Sequence, residues 1–352
     1  MFRRTDDLRI RDVRPLIPPA ILMENLPLSE KASTTVAESR EAVARVLRQQ
    51  DDRLVVVVGP CSIHDVDAAR DYARGLQAVA AELADALVVV MRVYFEKPRT
   101  TVGWKGLIND PRLDGTFRVN EGLNLARGLL LDLAEMGVPA GCEFLDTITP
   151  QYIADVVSWG AIGARTTESQ VHRELASGLS VPVGFKNGTD GNIQIAIDAI
   201  QAAGHPHHFL SVTKQGLSAI VATRGNPDCH LILRGGNAEP NYEAAAVARA
   251  VASLEKAKLP GRLMIDCSHA NSGKDHMRQP LVVSDIAGQV ADGSTAIIGL
   301  MLESFLVDGN QNHEKARGAL VYGQSITDKC MSWERTEPLF TELAEAVRKR
   351  RG

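Results

Sequence analysis

The sequence predicts an α/β fold built around a parallel β-sheet, and three observations support this prediction. From Leu54 onward, short runs rich in β-branched residues alternate with longer stretches rich in Ala and Leu, which is the pattern of βα units. Most of these longer stretches can accommodate a crossover helix between parallel strands. The 352 residues are 45% hydrophobic and 23% charged, a composition that supports a large buried core.

Ten runs are candidates for buried strands. They span residues 54–61, 87–95, 140–144, 161–166, 181–186, 209–213, 218–223, 230–236, 262–269 and 296–304. The runs 209–213 and 218–223 are joined by only a few residues, which is too short for a parallel crossover and suits an antiparallel hairpin. The eight remaining runs predict a (β/α)8 TIM barrel, with a doubly wound sheet as the alternative.

The connections and the N-terminal region complete this organisation. Crossover helices are expected within residues 67–83, 120–136, 192–203 and 243–256. The first 50 residues precede the barrel and contain helix-breaking prolines at positions 15, 18, 19 and 27. We therefore predict an N-terminal extension over residues 1–50 and a barrel over residues 51–352, with a β-hairpin insertion at about 208–224.

Charge, hydropathy and cysteine content exclude several classes of protein. The net charge of −4 leaves no global basic field, so we expect no nucleic-acid partner. No apolar stretch approaches the ~18 residues of a membrane span, so we expect no membrane partner. The first ten residues carry charges where a signal peptide needs an apolar segment, which predicts a cytoplasmic protein. The five cysteines lack CxxC spacing, which argues against a disulfide framework or a zinc knuckle.

Charged side chains follow nearly every predicted barrel strand. In such a barrel the active site lies at the C-terminal ends of the strands. The cations at these ends are Arg92, Lys97, Arg99, Arg165, Lys186 and Arg234, and Glu143 lies at another strand end. Each residue alone has an ordinary structural explanation, such as Glu143 pairing with one arginine. Together, the cations would repel one another and be costly to bury unless anionic groups occupy the mouth. The cluster therefore predicts a phosphorylated, carboxylated substrate.

A second set of side chains has the chemistry of metal ligands. Cys61, His269, Glu303 and Asp328 offer a thiolate, an imidazole and two carboxylates from separate strand ends. This donor set suits one divalent transition metal and does not select among Mn²⁺, Fe²⁺, Co²⁺ and Zn²⁺. An open coordination position would let the metal act as a Lewis acid toward a carbonyl. Taken singly, Cys61 is equally a small core residue and His269 a satisfied loop histidine.

The segment 95–106, FEKPRTTVGWKG, leaves the second predicted strand with a high density of cations and glycines. It contains Lys97, Arg99, Thr100 and Lys105. A surface loop is the ordinary interpretation of such a segment. Because it lies above a mouth that attracts phosphate, we favour a second anion site formed by Arg99 and Thr100.

Seven segments carry a resemblance to a known family. They are GPCSIHD (59–65), MRVYFEKPRTTVGWKG (91–106), GARTTESQ (163–170), GFKNGTDG (184–191), LRGG (233–236), DCSHAN (266–271) and YGQSITD (322–328). With these segments the chain resembles the bacterial, feedback-regulated 3-deoxy-D-arabino-heptulosonate-7-phosphate (DAHP) synthases over essentially its whole length. The resemblance implies a (β/α)8 barrel. It also implies the condensation of phosphoenolpyruvate with erythrose 4-phosphate, which releases phosphate and is the first step of the shikimate pathway.

The resemblance also implies roles for individual residues. The metal ligands would be Cys61, His269, Glu303 and Asp328. Phosphoenolpyruvate would meet Arg92, Lys97, Arg165, Lys186 and Arg234, with Lys105 and Glu143 close by, and Arg99 and Thr100 would hold the phosphate of the sugar. Lys97 and His269 are the candidates for proton transfer. A metal-dependent aldolase on the same barrel and a non-catalytic phospholigand sensor are the alternatives, and both explain fewer of these residues.

Regulation and assembly follow from the same resemblance. It implies a homodimer or homotetramer, with the extension 1–50 making oligomer and regulatory contacts. It also implies feedback inhibition by an aromatic amino acid, for which phenylalanine is favoured and tyrosine is the alternative. The effector pocket would combine Pro150, Gln151, Leu175, Leu179, Ser180, Phe209, Ser211 and Val221, with Asp6 and Asp7 reaching in from a neighbouring subunit. The ordinary interpretation is that these apolar residues bury the hairpin against the barrel.

Overall fold

A computed structural model describes residues 3–316 and 320–352. Its strands are β1 (Leu54–Gly59), β2 (Leu87–Arg92), β3 (Ala140–Glu143), β4 (Trp159–Ile162), β5 (Val183–Lys186), β6 (His208–Val212), β7 (Ser218–Ala222), β8 (Cys229–Leu233), β9 (Leu263–Asp266), β10 (Ile297–Glu303), β11 (Val307–Asn310) and β12 (Gln324–Ser325). Eight of them form a closed parallel barrel in the order β1-β10-β9-β8-β5-β4-β3-β2. The predicted (β/α)8 barrel is therefore confirmed.

Helices connect the barrel strands and flank both ends of the chain. They are α1 (Pro19–Asn25), α2 (Glu30–Leu47), α3 (Val66–Glu82), α4 (Val119–Glu135), α5 (Pro150–Ile153), α6 (Gln170–Gly178), α7 (Gln194–Ala203), α8 (Ala244–Lys256), α9 (Gln279–Ala291), α10 (His313–Ala316) and α11 (Trp333–Arg351). The four predicted crossover helices correspond to α3, α4, α7 and α8. Side-chain capping fixes the start of α3, because the Asp65 carboxylate accepts hydrogen bonds from the backbone amides of Asp67 and Ala68.

The barrel strands are buried on both faces, which explains why they form continuous apolar runs. In β1, Val55 and Val57 pack inside the barrel with Trp159 and Met264. The alternate positions of β1 pack outward against the helices. This alternation fills most of the barrel interior below the mouth with apolar side chains, and the charged side chains of the site gather where the strands end.

The prediction for the fourth barrel strand, residues 161–166, is wrong at both ends. The strand starts at Trp159 and ends at Ile162, and the amides of Thr166 and Thr167 then turn back to the carbonyl of Gly163. Gly160 pairs with Cys142 and Val183 on the neighbouring strands, and a Cβ there would lie 2.9 Å from the Phe144 ring, so the position suits glycine. The small sheet β11-β12 was also not predicted, because its polar, glycine-containing strands lack an apolar pattern.

The inserted hairpin is confirmed, with β6 and β7 paired in antiparallel register. Leu210 lies opposite Ile220, and these side chains are 83% and 76% exposed. In the N-terminal extension, α2 packs on the barrel, where Arg40 donates to the carbonyls of Ala154 and Val157. No helix within the described ranges combines the length and hydropathy needed to cross a membrane.

Candidate active site

The C-terminal ends of the barrel strands surround a cavity of about 410 Å³. Ten of the residues expected at the site from the sequence line it, and they are Arg92, Lys97, Arg99, Glu143, Arg165, Lys186, Arg234, His269, Glu303 and Asp328. Residues distant in sequence meet here because parallel strands in a barrel all end at the same face. Thr100 and Lys105 do not line this cavity, and both side chains are exposed in the segment that follows β2.

Three of the four candidate metal ligands form a compact cluster beside the cavity. The Cys61 sulfur and one carboxylate oxygen each of Glu303 and Asp328 lie within 4.8 Å of one another. The Cys61 Sγ is 3.5 Å from Asp328 Oδ2. Burial, reinforced by the charge of Glu303, raises the pKa of the Cys61 thiol to about 11. A metal ion that binds this thiol must therefore displace its proton.

His269 lines the same cavity but lies outside this three-residue cluster. Its Nδ1 is 2.8 Å from Ser268 Oγ and 2.8 Å from Asp266 Oδ2. An imidazole whose Nδ1–H is donated in this way keeps the Nε2 lone pair for a metal. The four side chains together therefore supply the sulfur, nitrogen and oxygen donors that fit a divalent transition metal.

Arg92 is buried beneath the metal cluster and organises it. Its Nη2 donates to Glu303 Oε1 at 2.9 Å and to the Cys61 carbonyl at 3.2 Å. Its guanidinium carbon lies 3.5 Å from the centroid of the Tyr94 ring. Among residues 3–316 and 320–352, the hydrogen-bond partner of Nη1 is the Met301 sulfur, at 3.1 Å, which is a weak acceptor. Arg92 therefore holds Glu303 in place and keeps one group of donors for an anion.

Lys97 lies against the cluster on its other side. Its Nζ is 3.1 Å from both the sulfur and the carbonyl oxygen of Cys61. Burial acts to lower the pKa of Lys97, but the nearby Cys61, Glu303 and Glu143 outweigh it and the pKa is raised. Lys97 is therefore protonated at neutral pH, which makes it a proton donor rather than a base. Arg99 is fixed by a 2.8 Å hydrogen bond from its Nε to the carbonyl of Trp104.

The remaining cations differ in how they are compensated. Lys186 donates to Asp266 Oδ2 at 2.8 Å. Burial opposes ionisation of Asp266, but His269 and Lys186 outweigh it and hold its pKa well below the usual range. Within residues 3–316 and 320–352, neither Arg165 nor Arg234 forms an ion pair with a carboxylate. Two arginines without carboxylate partners in one cavity are the arrangement expected of a site for an anionic ligand.

Two buried residues of the site had no role in the sequence-based prediction. Asp266 contacts both a candidate metal ligand and a candidate substrate-binding lysine, and its position at the end of β9 was a usable signal. Gln279 is fully buried at the start of α9. Its side-chain amide donates to the carbonyl of Glu303 and accepts from the Glu303 amide, both at 2.9 Å. No pattern in the sequence indicates this pairing across 24 positions.

A second cavity, of about 310 Å³, lies between the hairpin and α5–α6. All eight barrel and hairpin residues assigned from the resemblance to the effector pocket line it, and they are Pro150, Gln151, Leu175, Leu179, Ser180, Phe209, Ser211 and Val221. The charged residues Arg40, Asp155 and Lys214 line it as well. Asp6 and Asp7 do not line this cavity within the same chain, and both are exposed in the N-terminal extension.

Comparison with known proteins agrees with this arrangement. The model of the DAHP synthetase I family matches residues 25–341. The Phe-sensitive phospho-2-dehydro-3-deoxyheptonate aldolase of Escherichia coli (strain K12) is 61% identical over 352 residues, which is 100% of each chain. The tyrosine-inhibited enzyme of Schizosaccharomyces pombe is 55% identical, covering 98% of this chain and 94% of its own. The solved structure of the Francisella tularensis SCHU S4 phospho-2-dehydro-3-deoxyheptonate aldolase is 53% identical, with a TM-score of 0.95 over 97% of this chain and 100% of its own. The chain therefore belongs to the DAHP synthetase I family.

Proposed function

We propose that the protein condenses phosphoenolpyruvate with D-erythrose 4-phosphate to give DAHP and inorganic phosphate, the first step of the shikimate pathway. One observation carries this proposal. Arg165 and Arg234, which have no carboxylate partner in the described part of the chain, share a cavity with Glu303 and Asp328 of the metal cluster. An anion site beside a candidate metal site fits a phosphorylated, carboxylated substrate that reacts with an aldehyde.

Binding of phosphoenolpyruvate rests on charge-assisted hydrogen bonds. Its phosphate and carboxylate meet Arg92, Lys97, Arg165, Lys186 and Arg234, with Glu143 in the same cavity. Lys105, which the resemblance also places close by, lies outside this cavity. Arg99 and Thr100 bind the phosphate of erythrose 4-phosphate. Because most of these cations are held within a partly buried cavity, their interactions with phosphate oxygens are stronger than they would be in water.

The chemistry joins the methylene carbon of phosphoenolpyruvate to the aldehyde carbon of the sugar. Cys61, His269, Glu303 and Asp328 would hold the divalent metal, of which Mn²⁺, Fe²⁺, Co²⁺ and Zn²⁺ are the candidates. When bound, this ion supplies Lewis-acid polarisation of the aldehyde. Lys97, protonated beside Cys61, donates a proton to the aldehyde oxygen as the carbon–carbon bond forms. His269 is the other candidate from the sequence, but its Nδ1 contacts Asp266 and its Nε2 is assigned to the metal, so we favour Lys97 for this proton transfer. Water then adds to C2 of phosphoenolpyruvate, and the bond between that carbon and the phosphate oxygen breaks to leave the ketone and phosphate.

The test is the release of phosphate from phosphoenolpyruvate, measured with and without erythrose 4-phosphate. We expect release that depends on both substrates and yields one DAHP per phosphate. An aldolase on the same barrel would form a carbon–carbon bond from a pyruvate donor without releasing phosphate, and a sensor would bind the ligands without turnover. Either of those results would overturn the proposal.

The second cavity is proposed to bind an aromatic amino acid as a feedback inhibitor, with phenylalanine favoured over tyrosine. Apolar side chains from α5, α6 and the hairpin surround it, and Gln151, Ser180 and Ser211 offer polar atoms beside them. Such a cavity can take an aromatic ring together with polar end groups. Asp6 and Asp7 of a neighbouring subunit would meet the ammonium group. Within the described part of their own chain, neither carboxylate forms an ion pair, and the Asp6 carboxylate accepts a hydrogen bond from the Asp7 amide.

We expect phenylalanine to lower the initial rate more strongly than tyrosine or tryptophan. Leu175→Ala removes a buried wall of the second cavity and should weaken inhibition without lowering the uninhibited kcat. Val171→Ala, at a 48% exposed position on the same helix, is the matched control and should respond like the wild type. Stronger inhibition by tyrosine would overturn the choice of effector, and no inhibition by any of the three would remove the regulatory proposal.

A homodimer or homotetramer is proposed because two exposed apolar regions need a cover. Leu210, Leu217 and Ile220 project from the hairpin, and Leu8 and Val13 from the extension, all at least 66% exposed. We expect light scattering to show an oligomer, and removal of residues 1–14 to reduce its order. A monomer at working concentration, or an unchanged assembly after truncation, would contradict this.

The five unpaired cysteines favour a reducing compartment, and we place the enzyme in the cytoplasm.

A further inference from the structure

The carboxylate of Asp266, at the end of β9, is completely buried and lies between the two parts of the site. Its Oδ2 is 2.8 Å from Lys186 Nζ and 2.8 Å from His269 Nδ1. Its Oδ1 accepts hydrogen bonds from the amide of Ser268 at 3.0 Å and from the Ser268 hydroxyl at 2.6 Å. Both oxygens are therefore used, and each contact leads to a side chain that lines the cavity.

We propose that Asp266 is a positioning residue that orients His269 for the metal and Lys186 for phosphoenolpyruvate at the same time. This inference rests on the function proposed above, because it takes His269 as a metal ligand and Lys186 as a substrate-binding group. Asp266 itself touches neither the metal nor the substrate in this role.

The contact with His269 fixes the state of the imidazole. A carboxylate that accepts from Nδ1–H selects the tautomer whose Nε2 lone pair is free for a metal. His269 also adopts a φ of +49°, a backbone conformation that is uncommon for residues other than glycine. The Lys274 amide closes this turn onto the His269 carbonyl at 2.6 Å. The ring is thus held both by its backbone and by Asp266.

The contact with Lys186 balances a buried charge. The Lys186 side chain is only 5% exposed, and an unpaired ammonium at that depth would be strongly destabilised. Asp266 is in turn anchored by Asn271, whose side-chain amide donates to the Asp266 carbonyl at 2.8 Å. The lysine therefore has a fixed position before substrate binds, which reduces the conformational entropy lost on binding.

A purely structural role for Asp266, as the partner that neutralises Lys186, predicts a different outcome from a positioning role. If the carboxylate only neutralises the lysine, then replacing both residues by uncharged ones leaves no charge to balance. His269 is then unaffected, and the metal affinity stays unchanged. If the carboxylate also orients His269, the metal affinity falls even when the lysine is absent. The variants Asp266→Asn, Lys186→Met and the double variant carrying both changes separate these cases.

The measurement is a titration of metal-free protein with Mn²⁺ in the absence of substrates, in which electron paramagnetic resonance reports the bound ion. We expect Lys186→Met to retain the wild-type Mn²⁺ affinity. Asp266→Asn and the double variant should each lose roughly 10- to 100-fold in Mn²⁺ affinity. The double variant guards against misfolding, because removing both partners of a buried pair is often tolerated. Asp228→Asn is the control: it removes a carboxylate paired with Arg48 at 2.7 Å, away from the cavity. This variant should keep the wild-type Mn²⁺ affinity.

The KM for phosphoenolpyruvate provides the second readout. We expect Asp266→Asn to raise this KM by about tenfold or more in assays saturated with Mn²⁺, since a charge-assisted contact loses its geometry. An unchanged Mn²⁺ affinity in the folded double variant would overturn the role toward His269, and an unchanged KM in Asp266→Asn would overturn the role toward Lys186. If wild-type protein binds Mn²⁺ but does not condense the two substrates, the proposed function fails, while the comparison of Mn²⁺ affinities stands.

Discussion

Treatment with a chelator is expected to abolish condensation, and added Mn²⁺ is expected to restore it. The expectation rests on the donor atoms of Cys61, Glu303 and Asp328, which lie within 4.8 Å of one another beside the anion site. With the His269 imidazole in the same cavity, these sulfur and oxygen donors form a set that suits a divalent transition metal. We expect activity to follow the metal content measured on the same samples. Full activity in a preparation shown to be free of metal would contradict the Lewis-acid role.

Cys61→Ala should lose both metal and activity, because it removes the one sulfur ligand of the set. The matched control is Cys142→Ala. Cys142 is a residue of β3 whose thiol is also buried, at 1% exposure, but lies in the apolar core. The control should lose some stability through the cavity that it creates, and keep its full metal content. A Cys61→Ala protein with normal metal content would remove Cys61 from the ligand set.

The barrel could be predicted because its strands are buried on both faces and therefore form continuous apolar runs. The run from Leu54 to Val58 is an example, with every position inaccessible to solvent. The fourth strand was misplaced because Trp159 and Gly160 do not resemble a β-branched run, and the strand depends on tertiary packing. The local sequence pattern therefore identifies buried strands that consist of β-branched and other apolar residues. It does not identify strands that depend on packing against distant residues.

The strand-end rule brings together most of the candidate side chains, which line one cavity, but it does not predict how they pair. Nothing in the sequence distinguishes Lys186, which is neutralised by Asp266, from Arg234, which has no carboxylate partner among the described residues. The pairing of Lys186 with Asp266 joins residues 80 positions apart, and no spacing rule covers such a distance. The sequence also does not show that Thr100 and Lys105, which follow β2, lie outside this cavity, and their proposed roles stay predictions.

Arg165→Ala and Arg234→Ala are each expected to lower kcat/KM for phosphoenolpyruvate by roughly a hundredfold or more, as for other losses of preorganised electrostatic donors. Neither arginine forms an ion pair with a carboxylate in the described part of the chain. Their removal should therefore leave the melting temperature almost unchanged. Arg48→Ala, which breaks an exposed ion pair with Asp228 away from the cavity, is the control and should retain wild-type kinetics.

Lys186→Ala should lose turnover to a similar degree, but unlike the two arginine variants it should also lower the stability of the fold. Its removal leaves Asp266 buried without its ammonium partner, and breaking a buried pair in this way costs about 3–5 kcal/mol. We therefore expect a clear fall in melting temperature for Lys186→Ala and none for the two arginine variants, measured by thermal unfolding beside steady-state phosphate release. Near-normal kinetics in any of the three would remove that residue from the anion site. An equal loss of stability in all three would mean that the arginines are structural, because charges reserved for a ligand stabilise the complex and not the free protein.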